Sequence, residues 1–164
     1  MRVAVAVGLL SLPLSVPSAH AQQWTPEQQS LVAHVTQCWD VWVKALADET
    51  PAKWLAACPV DDRAHWWWTA DGAPQTSAVE VQRNWHAIRA TDDNWVSLRP
   101  VYVDIFEDVG IIHMYGYWRA KTPGGMVTTE AKRTEVFQRR NGKWVLIGAQ
   151  GTPVTPADAV PYRR

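Results

Sequence analysis

The chain has no excess charge of either sign and no basic run. Lys and Arg number 16, as do Asp and Glu, over 164 residues. With no cationic stripe to neutralise phosphates, nucleic acid is not expected as a partner. Cysteine is scarce: Cys38 and Cys58 are the only two. They lack CxxC spacing and have no histidine pair nearby, so a zinc site is not indicated. A GxSxG elbow, a His-rich metal spacing, a phosphate-cradling loop and internal repeats are absent too, which removes the common hydrolase, metal and nucleotide signatures. No metal and no cofactor are expected.

A membrane-spanning run is also missing. The apolar stretch from Val3 to Val16 follows Met1-Arg2 and is interrupted by Pro13 and Pro17, short of the roughly 20 residues a span requires. With Ala19-His20-Ala21 behind it, it reads as a secretory signal peptide, residues 1–21, cut after Ala21. No cysteine stands at the cut to carry a lipid. The expected product starts at Gln22, is periplasmic or secreted, and keeps no membrane attachment. Losing Arg2 leaves 15 Lys and Arg against 16 Asp and Glu. In an oxidising compartment an isolated cysteine pair predicts a Cys38–Cys58 disulfide.

What the chain does have is apolar mass, 47% hydrophobic with 11 tryptophans, enough for one packed domain over 22–153; 154–164 is a Pro-containing tail. Thr25-Pro26-Glu27-Gln28 is a helix start, with a Thr cap, Pro at the first position and Gln three residues after the cap. Leu31, Val35, Cys38, Trp42 and Leu46 then recur at helical spacing to about Asp48, with Asp40 on the polar side. Thr50-Pro51 opens a short second helix that Pro59 stops, so the disulfide would staple it across the first. Arg63 to Thr69 reads as a strand ended by Asp71-Gly72. Ser77-x-x-Glu80 is a capping box for a third helix whose apolar face is Val81, Trp85 and Ile88.

Beyond it the period changes to two. Val96–Phe106 and Val109–Lys121 are strands around a turn at Glu107-Asp108. Pro123-Gly124-Gly125 leads to two more around Asn141-Gly142, a pair suited to a type I′ turn because both residues need positive φ. Such turns fix register. Phe137 faces Leu146, Glu135 faces Gly148 and Arg133 faces Gln150; Met114 lies beside Arg133 and Trp118 beside Thr129. One sheet face is then mostly apolar, with Met114, Trp118, Phe137, Trp144 and Leu146, and its polar members are Arg99, Arg133, Glu135 and Gln150. The other carries Tyr102, His113, Tyr115 and Tyr117 beside Val136, Val145 and Ile147, apolar enough to predict a homodimer through it. A bulge would swap part of this assignment.

Cys38-Trp39-Asp40-Val41-Trp42, Asp61-Asp62, Asp108-Val109-Gly110-Ile111-Ile112, Gly116-Tyr117-Trp118, and Arg133-Thr134 followed by Asn141-Gly142-Lys143-Trp144 occur in order over Thr25 to Pro153. In these the chain resembles the nuclear transport factor two-like superfamily, in its SnoaL-like and ketosteroid-isomerase-like branch. The resemblance implies an α+β cone: a strongly curved, mostly antiparallel sheet wrapped around the long N-terminal helix, with two further helices and a pocket inside. It also implies frequent dimerisation through the outer sheet face. Relatives often end on His-x-Ser where this chain has Gln150 and Thr152, and an amide cannot titrate near neutral pH as imidazole does. The isomerases' tyrosine and aspartate have no match in the first helix, so that activity is not carried over.

Arg133, Gln150, Arg99, Trp118, Trp67, Met114, Phe137 and Trp144 are the expected ligand-contacting residues, and the expected ligand is a small apolar or aromatic molecule. Arg133 and Glu135 have a second reading, a pair satisfied internally that closes the cone. Trp66, Trp67 and Trp68 alternate faces, so at most two line one cavity. Three functions stay open: a binding domain without chemistry, a cyclase, isomerase or dehydratase using Glu135 or His65 as base and Arg133 as stabiliser, and a dimeric interaction module.

Overall fold

A computed structural model describes residues 23–44, 51–68, 74–89 and 92–154. The leader, the expected end of the first helix at Leu46 and Asp48, the Asp71-Gly72 turn, the Ile88 side chain and the tail past Val154 lie outside the described residues. The elements are α1 (Pro26–Lys44), α2 (Ala52–Ala57), β1 (Val60–Trp68), β2 (Gln75–Thr76), α3 (Ser77–Arg89), β3 (Asp92–Phe106), β4 (Val109–Thr122), β5 (Gly125–Arg140) and β6 (Lys143–Pro153).

The Thr25 cap forms as its sequence predicts. Thr25 Oγ1 accepts from the Gln28 N–H at 3.3 Å, and Gln28 Oε1 accepts from the Thr25 N–H at 2.8 Å. The same Gln28 amide donates to the Val103 carbonyl at 2.6 Å, tying the start of α1 to β3. Leu31, Val35 and Cys38 form the buried stripe of α1. Cys38 is bonded to Cys58 with Cα atoms 5.4 Å apart. The bridge holds α2, a helix of 6 residues that is too short to persist alone, against α1. Trp54 of α2 and Val81 of α3 share a buried cluster with the two cysteines.

The sheet has six strands in the order β2-β1-β6-β5-β4-β3. The expected meander is β3 to β6. β1 begins at Val60, earlier than its aromatic run suggested, and pairs parallel with β6; β2 pairs antiparallel with β1 at the edge. Asn141 and Gly142 have φ of 51° and 77°, the conformation a type I′ turn demands. The β4–β5 register matches its expectation, with Met114 opposite Arg133 and Trp118 opposite Thr129.

Two of the register shifts in the sheet move expected site residues to the other face. On β6, Val136 pairs with Gly148 and Phe137 with Leu146, so Ile147 is the extra residue. Past it, Glu135 faces Ala149, Arg133 faces Gly151, and Gln150 faces Thr134. On edge strand β3, Pro100 pairs with Met114 and Tyr102 with His113, so Val101 is extra. Arg99 then faces Tyr115, on the outer side. Pro100 lacks a donor, and an edge strand beside a bulge is where a strand tolerates that. One inserted residue reverses the parity of everything beyond it. Arg99 and Gln150, expected on the inner face, therefore leave it.

The sheet curves around α1 without closing. Leu31 and Val35 meet Trp66, Val103, Ile112, Met114, Phe137, Trp144 and Leu146 in one core. At the Asn141-Gly142 end of β5, Arg140 bonds Asp61, and the Arg63 N–H donates to the same carboxylate at 2.7 Å. The Arg140 bond, with the Arg63 bonds, holds the Asp61 carboxyl down at about 2. That joins the start of β1 to the end of β5.

Candidate functional site

Alternation along β5 sends Arg133, Glu135 and Phe137 to the concave side. Arg133 Nη2 donates to Glu135 Oε1 at 2.8 Å, and the two side chains are 8% and 5% exposed. Such a pair is costly to desolvate and persists only with further support. The support here is aromatic. The guanidinium lies 4.6 Å from the ring centroid of Trp39, 4.7 Å from Trp68 and 5.8 Å from Trp66, each a cation–π distance. Trp68 is itself fixed. Its Nε1 donates to the fully buried Glu80 at 2.7 Å, and a Cβ on Gly151 would meet its ring at 2.3 Å. Only glycine leaves room for that indole at the position facing Arg133.

Between α1, α2 and the sheet lies a recess of about 50 Å³. Arg133 and Glu135 are the charged side chains on its wall; Trp39, Trp42, Trp54, Trp66, Phe137 and the Cys38–Cys58 bridge make up most of the remainder. Arg133 Nε, Trp42 Nε1 and Trp66 Nε1 are buried donors that no protein acceptor meets. His34 stands behind the wall, its Nε2 3.5 Å from Cys38 Sγ and its ring edge-on to Phe137 at 5.7 Å. Burial pushes its pKa below the usual imidazole value. Among the described residues no three His, Cys, Asp or Glu side chains gather as metal ligands.

Of the residues expected to contact ligand, Arg133 and Phe137 stand on the recess, together with Glu135. Met114 and Trp144 are in the core. Trp118 lies beside the recess, its centroid 6.4 Å from Trp42 and its Nε1 donating to Asn94. Arg99 stacks on Tyr115 at 4.4 Å, Gln150 is exposed, and Trp67, at 50% exposure, leaves the wall to Trp66. His65 is exposed in β1 between two buried neighbours, on the side away from the recess. The helix-borne Trp39, Trp42 and Trp54 were not anticipated. The first two fall three residues apart beside Cys38, a spacing that presents both to the sheet.

The outer face carries a second, shallower concavity of about 370 Å³, lined by Val101, Tyr102, His113, Lys132, Thr134 and Gln150 among others. His113 Nδ1 and Thr134 Oγ1 are hydrogen-bonded at 2.9 Å. A hydrogen bond to Glu130 raises the Tyr117 pKa on the same face.

No family model matches the sequence, and no curated protein matches it either. Solved structures do. A ketosteroid isomerase-like protein from Erwinia carotovora atroseptica superposes with a TM-score of 0.62 at 10% identity, over 81% of this chain and 100% of its own. A nuclear transport factor 2-like superfamily protein from Salmonella enterica gives 0.60 at 10% identity, over 82% and 99%. The CaMKII hub of S. rosetta gives 0.58 at 18% identity, over 74% and 95%. With a curved, unclosed sheet around α1 and three helices, the chain has the fold of the nuclear transport factor 2-like superfamily.

Proposed function

We propose that the chain is an exported small-molecule-binding domain whose ligand enters the recess between α1, α2 and the sheet. One observation carries this reading: a buried ion pair stands on an otherwise apolar, tryptophan-lined wall with donors that no protein group meets. A pair serving only to close the cone would have its hydrogen bonds completed internally, because unmet buried donors are costly. The leader pattern at 1–21 and the formed disulfide both favour an oxidising compartment. The test is binding of fragments found by ligand-observed NMR. Arg133→Ala is expected to weaken them more than tenfold, while Glu135→Gln leaves neutral fragments nearly unaffected. If Arg133→Ala lowers stability but binds every fragment as before, the pair is structural and the reading fails.

An enzymatic reading of the cyclase, isomerase or dehydratase kind keeps Glu135 as base and Arg133 as stabiliser, because both share the recess wall. It loses His65. Any turnover that survives Glu135→Gln removes it altogether.

The outer face supports a homodimer. Trp95, Tyr102 and Phe106 are 49%, 62% and 61% exposed, and Tyr115, Tyr117, Val136 and Val145 share their side of the sheet. Exposed aromatic side chains on one sheet face are what an interface between two copies would cover, and one fold neighbour is by name a hub. Light scattering at micromolar concentration is expected to return twice the monomer mass. The mass of a single chain would overturn the dimer.

A further inference from the structure

The recess is electrically closed. Arg133 and Glu135 cancel one another across 2.8 Å, and no other ionisable side chain stands on the wall among the described residues. An incoming carboxylate would be a third charge, stripped of water and set beside the carboxylate of Glu135, with no cation left to receive it. What the wall offers instead is hydrogen. Arg133 Nε, Trp42 Nε1 and Trp66 Nε1 have no protein acceptor, and all three belong to residues lining the same space. A carbonyl oxygen accepts two hydrogen bonds and brings no net charge.

We infer that the recess takes the uncharged carbonyl end of a ligand, that of an amide, ketone or ester, and discriminates against a carboxylate of the same shape. The inference rests on the binding reading above and names its ligand class. Size agrees with it. A cavity of about 50 Å³ is far below the roughly 150 Å³ that holds benzene, so only a few heavy atoms pass the tryptophans. The body of a larger ligand stays at the mouth. Trp39 and Trp42, edge to face with centroids 5.7 Å apart, line the same space and offer aromatic surface to a flat or apolar group.

The experiment titrates ¹⁵N-labelled protein, disulfide intact, with propionamide and with propionate at one pH. The readout is the indole N–H signals of Trp42 and Trp66, assigned through Trp42→Phe and Trp66→Phe. Propionamide is expected to shift both signals and to bind at least tenfold more tightly than propionate. Glu135→Gln leaves the Arg133 charge uncancelled, so it is expected to reverse that order; an unchanged preference in a folded Glu135→Gln overturns the charge argument. The wild-type comparison stands whether or not the variant folds. Propionate binding as tightly as propionamide overturns the inference while leaving the recess a binding site. If neither probe moves either signal, ordered water is the only partner of these donors, and the binding reading falls as well.

Discussion

Glu135→Ala is expected to destabilise the domain by about 3–5 kcal/mol, because it leaves the Arg133 guanidinium buried without its counter-charge. In a domain of this size that lowers the melting temperature by about 10–20 °C. The tryptophans around Arg133 soften the loss and do not cancel it, since cation–π contacts contribute about 1–2 kcal/mol and persist in the variant. The informative companion is Arg133→Met with Glu135→Leu. Removing both charges while keeping volume is expected to recover most of the stability, as buried ion pairs replaced together by apolar groups commonly do. Thermal melts followed by circular dichroism decide between outcomes. A Glu135→Ala protein that melts with the wild type would mean that the guanidinium finds water, and that the pair is less buried than its 8% and 5% exposures indicate.

Breaking the Cys38–Cys58 bond is the second large effect. The bond joins residues 20 apart in sequence, and a closed loop of that length restrains the unfolded chain by about 3 kcal/mol. The folded side loses something as well. α2 has only 6 residues, and its Trp54 is buried in one cluster with both cysteines and Val81. Cys38→Ala with Cys58→Ala, or reduction of the wild type, is expected to lower the melting temperature by about 10 °C and to raise amide exchange from 51 to 58 first. Mass spectrometry of the unreduced protein should find it two hydrogens lighter than the reduced form. Equal melting with and without reductant, or two free thiols in the isolated protein, would contradict this.

The fold was legible wherever a local rule had no competitor. Asn141-Gly142 admits one tight turn, Thr25-Pro26 with Gln28 one helix start, and the β4–β5 pairing needed only a two-residue connection to be counted outward. The candidate site was legible in its centre, Arg133 and Glu135, because charged residues among apolar inner-face positions stand out. It failed at its margins for a definite reason. Beyond Ile147 and Val101 both sheet faces mix polar and apolar residues, so a shift of one leaves the hydrophobic pattern as plausible as before. Arg99 and Gln150 were lost that way. Trp66-Trp67-Trp68 gave no contrast at all, three identical residues in a row. Distant partners select the inward pair: Ala149 opposite Trp66, Gly151 beneath Trp68, and Glu80 on α3 to accept its N–H. The helix tryptophans were missed because a stripe at helical spacing reads equally as core.

The parallel pairing of β1 with β6 has a consequence for how the chain reaches this state. The earliest strand is sealed by the last one, Val60 opposite Leu146 and Trp66 opposite Ala149, while β3, β4 and β5 zip to their sequence neighbours. Contacts of such long separation form late, since loop closure must be met before they contribute anything. Until β6 arrives, β1 has only the two-residue β2 beside it, at His65 and Trp66, and the wall that cages Arg133 is half built. A chain lengthening from its N-terminus therefore carries an exposed aromatic strand until its C-terminal segment is complete, and over that interval it has most to gain from a chaperone.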